Sequence, residues 1–177
     1  MVRDILKYGV IAGVVVGVLQ CGLVLLLSGH QPSSWMMLYG YAAMLLALSA
    51  VFVGVKRYRD AERGGVIGFW QALGMGLAIS LIAGILYAVA WEITTALAHM
   101  DFGKDYANYM IAQAKAKGAT GAALQKAIAE ANDFRAQYSN PLYRMPMTFM
   151  EIAPVAALVS LISAALLRNS RFLPARG

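Results

Sequence analysis

Four apolar stretches divide the chain. Residues 10–27 and 35–55 carry no charge, residues 67–97 carry only Glu92, and residues 148–167 carry only Glu151. A hydrocarbon layer about 30 Å thick is crossed by roughly 20 helical residues, and the backbone inside it must satisfy its own hydrogen bonds because no water is present. Each stretch is long enough, so the pattern predicts four transmembrane helices. The first is not read as a cleaved leader. Gln20 stands before Cys21 where a signal site would want a small residue, and apolar sequence runs on to Leu27, longer than a signal core.

The pattern changes over residues 99–147, where alanine, lysine, glutamine and aspartate favour helix but cannot span a bilayer. Residues 104–117 read as one short helix, with Gly118 and Gly121 flanking a turn. Thr120 is placed to cap a second helix running to about Tyr138. Leu124, Ile128, Ala131, Phe134 and Tyr138 recur on one side of it, and Lys126 and Glu130 form an i, i+4 pair. Asn140-Pro141 and Pro146 are expected to end this helix. Thr148-Phe149-Met150-Glu151 reads as a capping box with Met147 and Ile152 as its staple, and Pro154 is expected to loosen the first turn that follows. The predicted fold is all-α and integral to the membrane: one domain over residues 1–177, with an extramembrane helical hairpin, residues 99–147, between transmembrane helices three and four.

Composition points the same way. Apolar residues make up 60% of the 177 and charged residues 14%, against roughly 25% charged in soluble domains. Cys21 is the one cysteine, which excludes an internal disulfide and any cysteine-rich metal site. Basic residues near helix ends resist translocation, and they are unevenly placed. Arg3 and Lys7 precede the first helix, Lys56, Arg57, Arg59 and Arg63 fill the second link, and Arg168, Arg171 and Arg176 follow the last helix. The short loop 28–34 has no lysine or arginine, and over residues 92–151, the long loop with Glu92 and Glu151, six bases balance six acids. Both termini are therefore expected in the cytoplasm and the long loop in the periplasm. Trp70 and Trp91, about 32 Å apart along a helix, fit two interfacial belts, with Trp35 and Tyr58 at the ends of helix two.

Small residues recur every four positions on two helices, where they let backbones approach in lipid. Gly9, Gly13, Gly17 and Cys21 form one stripe; Ala72, Gly76, Ser80, Gly84 and Ala88 form the other, with Glu92 next. Packing within the chain accounts for both, and a seam with a second copy or a partner membrane protein is the alternative. Glu92 and Glu151 are candidates for ion or ligand handling, against structural roles in ion pairing and capping. His99, seven residues after Glu92, is expected on the same helix face, where Glu92, His99 and Glu151 would offer oxygen and imidazole ligands. Met145-Pro146-Met147 offers a thioether pair, and Met36, Met37, Met100, Met110 and Met150 with His30 lie on the same side; packing explains the methionines equally. These patterns assign no metal, no cofactor and no catalytic residue. The basic cluster Lys56, Arg57, Arg59 and Arg63 suits anionic lipid headgroups or simply sets topology. Nucleic acid is not an expected partner, since the membrane surface accounts for the positive charge.

Lys7-Tyr8-Gly9, Val55-Lys56-Arg57-Tyr58-Arg59-Asp60, Gly64-Gly65, Phe69, Gly76, Tyr87, Asp101-Phe102 and the closing Leu161-Ile162-Ser163-Ala164-Ala165 together resemble an uncharacterised bacterial membrane family, the domain of unknown function numbered 4199. The resemblance covers nearly the whole chain. It implies a small four-helix inner-membrane protein with a long loop before the last helix, and it supplies no activity and no catalytic motif. The sequence thus reads as a non-enzymatic membrane protein acting through helix assembly and lipid or partner binding. The alternatives are a small transporter, channel or ion-handling subunit using Glu92 and Glu151, and a metal-binding protein or membrane enzyme at the outer interface.

Overall fold

The computed structural model describes residues 1–27 and 34–174. The loop 28–33 with His30, the side chains of Trp35, Met36 and Met37, and Arg176 lie outside the described residues. Six helices follow one another, with no strand among the described residues: α1 (Val2–Leu27), α2 (Ser34–Glu62), α3 (Phe69–Leu97), α4 (Phe102–Ala116), α5 (Gly121–Tyr138) and α6 (Pro141–Leu167). Four of them, α1, α2, α3 and α6, are long and apolar enough to cross a membrane. The chain forms two compact units, residues 1–91 with 148–177, and residues 92–147.

In the first unit the glycine stripe of α1 lies against α3. A Cβ at Gly9 would stand 2.7 Å from Ile82, at Gly13 2.6 Å from Leu86, and at Gly17 2.8 Å from Ala90. Each four-residue step on α1 meets a four-residue step on α3, so the two helices run parallel. The stripe on α3 faces α6 with the opposite sense. Gly76 lies against Ser160, Gly84 lies against Phe149 and Ile152, and the Ser80 and Ser160 hydroxyls are 3.1 Å apart. Ala72, Ser80 and Ala88 are buried with them. Small side chains allow these approaches, which leucine-sized residues would prevent. Gly54 of α2 does the same for Tyr8 and Ile79, each within 2.9 Å of the missing Cβ.

Gly64 and Gly65 end α2. Both have positive φ, 60° and 85°, which lets the Gly65 N–H turn back to the Arg59 carbonyl at 3.0 Å.

The last helix departs from expectation. It starts at Pro141, not Thr148, and runs 27 residues without a break in assignment. Asn140 Oδ1 accepts the Leu142 N–H at 2.9 Å, and a proline at the first helical position loses no hydrogen bond because that N–H has no intrahelical partner. The second loop helix does end before Asn140-Pro141, at Tyr138, but Pro141 also begins the next helix, and Pro146 lies inside that helix instead of ending one. Thr148 sits inside the helix and is buried, so the predicted capping box has no helix start to cap, and Pro154 falls mid-helix.

The second unit holds α4 and α5. Asp101 caps α4, accepting the Lys104 N–H at 2.9 Å, and Gly118 and Gly121, at φ 82° and 55°, make the turn between the helices. Phe102 meets Tyr138 at a centroid distance of 5.3 Å, and Tyr106 meets Phe134 at 5.0 Å. That crossing of early with late positions makes α4 and α5 antiparallel. Ala107 and Ala131 are buried in the unit, which fits the predicted apolar side of α5. Thr120 is the N-cap residue of α5 by position, but its side chain makes no capping bond.

Candidate functional site

Residues 92–147 enclose an open cleft of about 670 Å³. Its charge comes from two ion pairs. Glu92, near the end of α3, faces Arg144, on the first turn of α6, and their contact is bidentate: Arg144 Nε donates to Glu92 Oε1 at 2.6 Å, and Nη2 donates to Oε2. Arg144 also lies 5.6 Å above the Tyr138 ring, with Nη1 3.4 Å from the Tyr138 carbonyl. Both side chains are mostly covered, at 19% and 24% exposure. A guanidinium fork on a carboxylate fixes geometry better than a single contact does. This pair is therefore the rigid part of the cleft.

The second pair is looser. Arg135 Nη2 donates to Asp101 Oδ2 at 3.1 Å, and both side chains are about half exposed. Asp101 accepts from the Lys104 N–H with its other oxygen, so one carboxylate both caps α4 and holds α5. The Lys104 backbone N–H, and after it the Arg135 guanidinium, hold the Asp101 carboxyl below the usual aspartate range; the little desolvation it suffers opposes them. Thr95, Ala96, Met100, Phe102, Asn132 and Ser139 complete most of the wall. Two carboxylates and two guanidiniums leave the lining with no formal net charge.

The other predicted site residues do not converge on this cleft. His99 follows the end of α3 with φ 49°, in the left-handed region, and so leaves the helical register that would have set it beside Glu92. Glu151 belongs to the other unit, where its Oε2 is 3.4 Å from the Tyr87 hydroxyl. Among the described residues no three His, Cys, Asp or Glu side chains gather where they could hold a metal ion. The predicted headgroup cluster divides. Arg57 and Arg63 are exposed and Lys56 pairs with Asp60, but Arg59 is fully buried. Its Nε donates to Asp60 Oδ1 at 2.7 Å, Nη1 to the Phe172 carbonyl at 3.0 Å and Nη2 to the Leu173 carbonyl at 2.6 Å, while Phe172 packs edge-on against Phe52. Arg59 thus anchors the segment after α6 and cannot present its charge to lipid.

The family model described as "Protein of unknown function (DUF4199)" matches residues 7–169. The chain belongs to this family. Its membrane character is consistent with the four long apolar helices. No curated protein and no solved structure matches the chain. The match includes Arg59 and every residue lining the cleft, and ends before the Phe172 and Leu173 carbonyls that Arg59 holds. Sequence reasoning missed Asp101, Asn132 and Arg135 as site residues. The signal available was Asp101 in N-cap position, four residues after the end of α3, but its partner lies 34 residues away.

Proposed function

We propose that the protein crosses the bacterial inner membrane four times through α1, α2, α3 and α6, with both termini cytoplasmic, and that residues 92–147 form a periplasmic helical hairpin that binds lipid or a partner membrane protein. Its role is non-enzymatic. The observation that carries this reading is the cleft lined by the Glu92–Arg144 and Asp101–Arg135 pairs, a preformed polar recess inside the one stretch too polar to span. Fixed, partly covered polar groups among apolar walls are what small-ligand sites are built from. Lysine and arginine concentrated in the flanks of the termini and of the α2–α3 link support the orientation. The small-residue stripes support assembly of the four helices within one chain.

Ion handling by Glu92 and Glu151 is less favoured, because Glu92 has both oxygens engaged by Arg144. The test is native purification in mild detergent with mass spectrometry of what stays bound. The binding reading predicts a lipid or protein retained by wild type and reduced by Arg144→Gln or Arg135→Gln. Retention unaffected by either substitution, or nothing retained, contradicts it.

A further inference from the structure

Within the cleft, donor capacity is unevenly used. Arg144 is committed to Glu92. Arg135 makes one hydrogen bond, through Nη2 to Asp101, which leaves Nε and Nη1 without a partner among the described residues. Asn132, three residues earlier and so on the same face of α5, lines the cleft with a side-chain amide that also makes no hydrogen bond among the described residues. A guanidinium edge beside a carboxamide is a receptor for an oxyanion.

The surrounding charge sets what kind of oxyanion. Asp101 stands 3.1 Å from Arg135, so a second full negative charge on the ligand would be repelled. A carboxylate has about four lone-pair sites, and Asp101 uses two, so it can still accept from an ammonium. Phe102 and Tyr138 supply ring surface in the same wall, which also attracts a cation. Because the lining is formally neutral, a ligand bearing one negative and one positive charge matches it, and a dianion does not. Glu92 follows Trp91 directly in α3, the type of residue that sits at headgroup level.

We propose that the cleft binds an amine-bearing phosphodiester, the headgroup chemistry of phosphatidylethanolamine, with the phosphodiester oxygens on Arg135 and Asn132 and the ammonium on Asp101. This rests on the binding reading above. The experiment uses the full chain in maltoside micelles, titrated calorimetrically with short-chain phosphatidylethanolamine, short-chain phosphatidylglycerol, glycerophosphoethanolamine and inorganic phosphate. Arg135→Gln and Asn132→Leu are the variants, and Lys126→Gln, exposed and outside the cleft, is the control. Loss of a charge-assisted bond weakens binding about tenfold or more.

The expected result is binding of phosphatidylethanolamine that falls about tenfold in Arg135→Gln, falls also in Asn132→Leu, and is unchanged in Lys126→Gln. Phosphatidylglycerol and inorganic phosphate should bind at least several-fold more weakly. Comparable binding of glycerophosphoethanolamine would identify a free small molecule as the source of the same chemistry; binding of the lipid alone would identify the membrane. Phosphatidylglycerol binding as tightly and with the same Arg135 dependence overturns the amine requirement and leaves the cleft as a binding site. Inorganic phosphate binding as tightly overturns the phosphodiester assignment. Binding of no probe that depends on Arg135 overturns the proposal, and retention of another molecule lost on Arg135→Gln would show that the cleft reading survives it.

Discussion

Replacing Gly13 with alanine tests whether close approach of α1 and α3 holds the four long helices together. The added methyl would stand 2.6 Å from both Cβ and Cδ1 of Leu86. Carbon atoms prefer about 3.5–4.0 Å, so the clash is about 1 Å, and Leu86 Cβ cannot swing away because it is fixed to the backbone. The two helices must separate locally, and a gap of that size forfeits a quarter to a half of each lost contact. Overpacking of this kind costs about 1–3 kcal/mol, partly offset by the roughly 1 kcal/mol that alanine gains over glycine in a helix. Gly74→Ala isolates that gain, since Gly74 lies on α3 with nothing within 4 Å of its missing Cβ. Thermal unfolding of both variants in detergent should therefore differ by about 1–3 kcal/mol, or roughly 2–12 °C, with Gly74→Ala the more stable. Equal melting temperatures would refute the argument, because both would then report helix propensity alone.

Two further outcomes follow from buried and capping charges. Arg59→Ala leaves the carbonyls of Phe172 and Leu173 without their donor and Asp60 with Lys56 alone, which should destabilise the protein by about 1–3 kcal/mol for each unsatisfied carbonyl, and protease cleavage after residue 167 in otherwise folded protein should rise; unchanged cleavage contradicts the anchor. Asp101 has a carboxyl held below its unfolded value of about 3.9, so its contribution is complete above that pH and is lost as pH falls through the folded value. Unfolding of α4 and α5 should therefore ease below about pH 4 in wild type and less so in Asp101→Asn; identical acid profiles would contradict its role.

Local periodicity was the legible part of the sequence. The four long apolar helices and the extents of α4 and α5 follow from local patterns that act within one helix or turn. Errors arose where a residue's meaning depends on distant partners or on which side of a helix boundary it falls. Pro141 reads as a terminator, yet at a first helical position it is an initiator, and that shifted the start of α6 by seven residues. His99 takes positive φ just beyond α3, which no spacing rule anticipates. Arg59 stands in a run of bases that looks like surface, and only carbonyls 113 and 114 residues away make its burial intelligible. The cleft is assembled from α3, α4, α5 and α6, so its pairs, 52 and 34 residues apart, leave no local pattern.

Side-specific labelling of single cysteines tests the membrane account most directly. In a Cys21→Ser background, Thr120→Cys lies in the turn before α5 and Arg63→Cys at the end of α2, both exposed. An impermeant thiol reagent added to intact spheroplasts should label position 120, and position 63 only after the membrane is opened. Labelling of position 63 from outside with position 120 protected would invert the orientation, and equal labelling of both from outside would contradict four crossings.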